Sequence, residues 1–181
     1  MNSKKNKCLL LLLVLAFAFI FTSGCGGSYM NPERALRNFS NRIKQGDISD
    51  LTLVIYYREL GVTAPFPFSV DDLVGRGRYN YKIIVDGNEL EKHIELLLQL
   101  NADYLIPFTQ NNRMHAQLYY VFEVNGRKIF GFVPHASGAD SSMFINSVEF
   151  EWNDAFFDVI RPFLPEDVVI HWDRALMPSD W

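Results

Sequence analysis

The chain has 181 residues, with 17 basic against 21 acidic side chains and a formal net charge of −4. Lys4, Lys5 and Lys7 are the only charged residues in the first 25, so the remainder carries 14 basic against 21 acidic groups, and this net −7 argues against nucleic acid or anionic headgroups as partners. Both cysteines, Cys8 and Cys25, also fall in that leading segment, so the rest has no disulfide, thiolate ligand or thiol nucleophile and must stand on a hydrophobic core.

The leading segment has three parts: the lysines, an uncharged and almost wholly apolar run from Cys8 to Phe21, and small residues before Cys25. That is the layout of a secretory signal. About fourteen apolar residues make a helix of roughly 21 Å, short of the ~30 Å hydrocarbon core that a permanent span must cross. The ending Thr22-Ser23-Gly24-Cys25 resembles the lipobox of bacterial lipoproteins, with Thr22 standing where that pattern usually has Leu, Val or Ile. The resemblance covers residues 1–25 and implies cleavage after Gly24, a diacylglyceryl thioether and an N-acyl chain such as palmitate on Cys25, and a place on the extracytoplasmic face of the cell membrane. Two or three acyl chains, at about 0.8 kcal/mol per buried methylene, make a stable anchor. The expected organisation is a signal peptide over 1–24, a lipidated cysteine and tether over 25–30, and one domain over 31–181. Six or seven extended residues reach roughly 20 to 25 Å, which keeps the domain near the lipid and its protein neighbours.

Asn31 as N-cap, Pro32 at the first helical position and Glu33 in the first turn predict an amphipathic helix with Ala35, Leu36, Phe39 and Ile43 on one stripe and Gly46 as its stop. Leu51 to Tyr57 is apolar on both faces and reads as a central strand. Pro65 and Pro67 interrupt the next stretch, Ser69 with Asp72 caps a short turn through Val74, and Gly75-Arg76-Gly77-Arg78 reads as a turn, since it lacks the flanking strand, helix and further glycine of a phosphate loop. Tyr79 to Val85 alternates as a half-buried strand. Asn88 with Glu91 then forms a capping box for a helix reaching about Leu100, with Leu90, Ile94, Leu97 and Leu98 facing the core and His93 packed beside them.

Met114 to Val133 holds two β-rich runs joined by Asn125-Gly126, the preferred pair for a two-residue type I′ hairpin. A regular register pairs Val124 with Arg127, Glu123 with Lys128 and Phe122 with Ile129. It puts Leu118, Tyr120, Phe122, Ile129 and Val133 on one face and Tyr119, Val121, Phe130 and Phe132 on the other. Neither face is polar. Either both are covered, or Tyr119, Val121, Phe130 and Phe132 form an aromatic face for a protein partner.

The loop from Pro134 to Ser142 contains His135, Ser137, Gly138, Asp140, Ser141 and Ser142, without a nucleophile elbow. Met143 to Trp152 reads as one strand with a bulge at Asn146-Ser147, Asn153 caps a helix holding Phe156, Phe157, Val159 and Ile160, and Val168 to Trp172 reads as a last short strand. An extended chain there would set His171 and Asp173 on one side, but two ligands make no metal site, and His115 and His135 are the only further candidates. No metal or dissociable cofactor is expected.

These elements predict an α+β domain with a mostly antiparallel sheet of about five strands and two or three packed helices, comparable in shape alone to cystatin-like or NTF2-like sheets. The layout is similar to that of many small lipoproteins of bacterial envelopes. The functional expectation is a non-enzymatic binding or interaction module on the membrane; the alternative is a small envelope hydrolase using residues of the 135–142 loop and 171–173. Cys25→Ala is expected to block acylation and cleavage and so leave the uncut precursor, heavier than the mature chain. A chain still cut to the mature size after the substitution would contradict the anchor.

Overall fold

Asn31 acts as an N-cap, its Oδ1 accepting the Arg34 backbone N–H at 3.2 Å, and Pro32 opens helix α1, Pro32–Lys44. The computed structural model describes residues 31–58, 67–109, 112–135 and 141–176, so the leader, Cys25 and the tether lie outside the described residues. Ala35, Leu36, Phe39 and Ile43 are buried along one stripe of α1, and Gly46, at φ +71°, ends it. Arg42 in the last turn bonds Asp47, the Asp47 carbonyl and Asp50, which ties the helix end to the loop before the sheet.

The sheet has six antiparallel strands in the order β2-β1-β3-β4-β5-β6: β1 Leu51–Tyr57, β2 Tyr81–Asp86, β3 Leu118–Val124, β4 Arg127–His135, β5 Ser142–Ile145 and β6 Val148–Glu151. The α+β class is as expected, with one strand more. Between β2 and β3 lie α2, Gly87–Glu91, and α3, Ile94–Gln99; after β6 come α4, Ala155–Asp158, and α5, Glu166–Leu176. The helices cover one face, where Phe39 of α1 meets the rings of Phe122 and Phe130 at 4.7 and 5.2 Å. The fully buried Tyr120 donates its hydroxyl to the Phe156 carbonyl at 2.8 Å, and burial pushes its phenol well above the ordinary 10.0.

Four expectations are corrected. The hairpin keeps its Val124–Arg127 and Glu123–Lys128 pairs, but a bulge follows, and Phe122 then pairs Phe130 and Tyr120 pairs Phe132. Ile129 is the extra residue, and both phenylalanines turn to the helix-covered core, fully buried, while Tyr119, Val121 and Val133 face the other way. Each aromatic buried contributes roughly 1.5–3 kcal/mol, more than one interrupted ladder bond removes. Second, Asn146 and Ser147 have φ of +50° and +71°, so they turn the chain between β5 and β6 rather than bulging a single strand. Third, Val168 to Trp172 lies inside helix α5. Fourth, the helix after β2 is capped by Asp86, whose Oδ1 accepts the Glu89 N–H at 3.0 Å, and it is interrupted at Lys92–His93. Gly87 sits inside α2 because a side chain there would strike the Ile48 carbonyl.

The second face of the sheet is also covered over β1, β3, β4 and β5. Val54, Tyr119, Val121, Val133 and Phe144 are buried with Leu73 and Ala116, and Val70, Val74, Tyr79 and Met114 pack against them. Ser69 and Asp72 hold this cover in place as the expected capping box, with Ser69 Oγ donating to Asp72 Oδ2 at 2.8 Å and accepting from the Asp72 N–H at 3.1 Å. Phe39→Ala removes the ring that joins α1 to the sheet and is expected to cost about 3–5 kcal/mol in chemical denaturation. A loss under about 1 kcal/mol would show that α1 is not part of the cooperative core.

Candidate functional site

Strand pairing places Tyr57, the last residue of β1, directly opposite Tyr81, the first of β2. Their rings stack at 4.6 Å with 14° between the planes. Helix α5 supplies the facing wall of a cleft of about 530 Å³, because Asp167 and His171 are four residues apart and share one side of that helix with Val168. Pro165 and Arg58 complete the lining. Tyr57 is buried and Tyr81 half-exposed. Burial first, then Tyr81 and the Asp167 carboxylate, raise the Tyr57 phenol above its ordinary 10.0, so it stays a hydrogen-bond donor throughout the physiological range.

Arg58 links this cleft to a second group. Its guanidinium carbon lies 4.5 Å from the Phe68 ring centroid and that of Arg78 lies 5.7 Å away. The Phe68 N–H donates to His115 Nδ1 at 2.9 Å, so the neutral imidazole carries its proton on Nε2. Burial, then His135 and Arg58, push the His115 pKa below the ordinary 6.5. Arg58 and Arg78 are therefore the cations of the cluster, His115 is a neutral donor, and among the described residues neither arginine is in an ion pair.

The residues singled out from sequence are distributed differently. Tyr119 and Val121 lie under the second cover and Phe130 and Phe132 in the main core, so the four do not form one surface. The bulge at Ile129 is the reason. Ser142 is fully buried and donates to Glu149 Oε1 at 2.7 Å, and the same carboxylate accepts both the backbone and side-chain amides of Asn112. His135 pairs Ser142 across β4 and β5 and meets the Phe144 ring edge-on. Ser137, Gly138 and Asp140 lie outside the described residues. In a helix, residues two apart point about 200° apart, so His171 faces the cleft while Asp173 accepts from Arg161 Nη1 at 2.8 Å. His93 packs edge-on against Phe163.

Among the described residues no group of three His, Cys, Asp or Glu is placed to hold a metal, and no helix is long and apolar enough to cross a membrane. Sequence reading missed Tyr57, Arg58, Tyr81 and Asp167; their signal was a tyrosine at the end of one strand and the start of the next. No family model, curated protein or solved structure matches this chain.

His115 gives the cluster a pH signature. Its folded pKa is below the unfolded value, so its contribution to stability is present above about 6.5 and is lost as pH falls through the folded value. Between about pH 7 and pH 5 the melting temperature of the native chain should therefore fall more than that of His115→Asn, whose Oδ1 accepts from Phe68 N–H without titrating. Equal falls would place the acid sensitivity elsewhere.

Proposed function

We propose that this chain is a lipid-anchored, extracytoplasmic, non-enzymatic interaction module whose Tyr57–Tyr81 cleft receives a carboxylate-bearing segment of an envelope protein. Support for the location comes from the lysine leader, the apolar run and the small residues before Cys25. The acyl anchor and short tether would hold the domain where such partners are concentrated.

The observation that carries the binding reading is Arg58. It stands at a cleft walled by two stacked tyrosines, braced on Phe68 and free of any ion pair among the described residues. A guanidinium already seated on a ring loses less freedom on meeting a carboxylate, and its planar fork can bind both oxygens. Arg78 adds positive potential through the same ring, and the Tyr57 hydroxyl supplies a further donor. Asp167 on the opposite wall repels a second negative group and accepts an amide or amine of the entering segment. The two sides of the cleft thus favour a peptide-like ligand over a polyanion. For the hydrolase alternative built on His135, Asp140, Ser141 or His171 and Asp173, Asp173 is engaged by Arg161 and turned away from His171, and Asp140 lies outside the described residues.

A photoreactive amino acid in place of His171, in cells carrying the full chain, should give one discrete protein adduct that disappears when Arg58→Glu is added. The same probe in place of Ile170, exposed on α5 outside the cleft lining, should not give it. An absent adduct, or one indifferent to Arg58→Glu, would overturn the binding assignment while leaving the anchor to be judged by Cys25→Ala.

A further inference from the structure

The two edges of the sheet are treated differently. At β6 the outer edge is occupied: Pro107 bridges Phe150, and the Glu151 N–H donates to the Ile106 carbonyl at 2.8 Å. At β2 no strand among the described residues lies beyond the outer edge, and Ile84 in its middle is 62% exposed. An open edge with an exposed apolar residue at its centre is a template for strand pairing.

The sequence of that edge specifies the occupant. Lys82, Ile84 and Asp86 share one face of β2, and Ile83 and Val85 share the other. Turned antiparallel about a two-fold axis through Ile84, the strand meets its own image with Ile84 against Ile84, Lys82 against Asp86 at both ends, and Ile83 against Val85 at both ends. Shifting the partner by two residues in either direction sets Lys82 or Asp86 against Ile84, and shifting by four sets Lys82 against Lys82 or Asp86 against Asp86. The lysine that would repel most incoming strands thus admits one register. Lys82 and Asp86 are both exposed; the Lys82 ammonium rests 5.4 Å from the Tyr56 ring without an ion pair among the described residues, and Asp86 caps α2 through Oδ1 while its charge also acts on Lys92. We infer that the outer edge of β2 pairs with the same edge of a second copy of this chain, which makes a two-fold dimer with one continuous antiparallel sheet. This does not rest on the cleft or on the anchor.

The test uses the full chain solubilised in mild detergent. Ile84→Cys sets two thiols at the proposed axis, so oxidation should give a disulfide-linked dimer several-fold above the background that Cys8 and Cys25 give in the unsubstituted chain. Ile170→Cys, at a site also exposed, should stay at that background. Adding Lys82→Glu, which sets like charges opposite each other at both ends, should reduce the dimer several-fold. Cross-linking no greater than the controls, cross-linking indifferent to Lys82→Glu, or an adduct to a different chain would overturn the inference. Sedimentation equilibrium of the unsubstituted chain, which depends on no variant, should give the mass of two copies; a single-copy mass at all accessible concentrations would also overturn it.

Discussion

The arrangement of this domain depends on where one extra residue is inserted in the β3–β4 hairpin. With Ile129 bulged out, Phe130 and Phe132 join Tyr120 and Phe122 in one aromatic cluster under the helices, Tyr120 stacked on Phe132 and edge-on to Phe122 and Phe130. Gly131 then falls on the opposite face, where a side chain would lie about 2.6 Å from Tyr119 Cε2. The glycine is a seat for the Tyr119 ring. Any larger residue would lift that ring and disturb the second cover, so bulge, glycine and tyrosine form one device that divides the aromatics between two cores.

That division gives the helices their docking surface. Phe39 sits on Phe122 and Phe130, and Phe132 stacks on Phe156 at 5.8 Å with nearly parallel planes. Phe157 meets Trp172, which anchors α5 to the same core. Once Trp172 points inward, Asp167 and His171 fall beside Tyr57 and Tyr81. The cleft is therefore a consequence of core packing as much as of its own lining.

Local chemistry is the part of this fold that is legible in the sequence. Asn31, Pro32 and Gly46 mark α1 because each supplies a backbone requirement that few other residues meet, and Asn125-Gly126 marks its turn for the same reason. The Asn146-Ser147 turn escapes because serine seldom adopts a left-handed conformation, so a bulge is the cheaper reading of the pair. Val168 to Trp172 escapes because a short apolar run fits a strand or a buried helix equally well; only Pro165, whose carbonyl accepts from both Val168 and Val169 N–H, decides for the helix. The register error in the hairpin has a tertiary cause, since the turn dictates pairing only until the cores draw the phenylalanines inward.

The candidate site was least legible, because its parts meet through pairing across a long connection: Tyr57 and Tyr81 are distant in sequence and become neighbours only when β2 folds back along β1. Net charge misled in a similar way. A domain of net −7 reads as hostile to negative ligands, yet at physiological salt a charge is felt over roughly 8 Å, so what a ligand meets is the local set of groups. At the Phe68 ring that set is two guanidiniums and a neutral histidine, and along β2 it is one lysine and one aspartate flanking Ile84. The acidic balance elsewhere then acts against indiscriminate anion binding. It leaves specificity to the few places where the fold gathers unpaired cations against an aromatic or apolar surface.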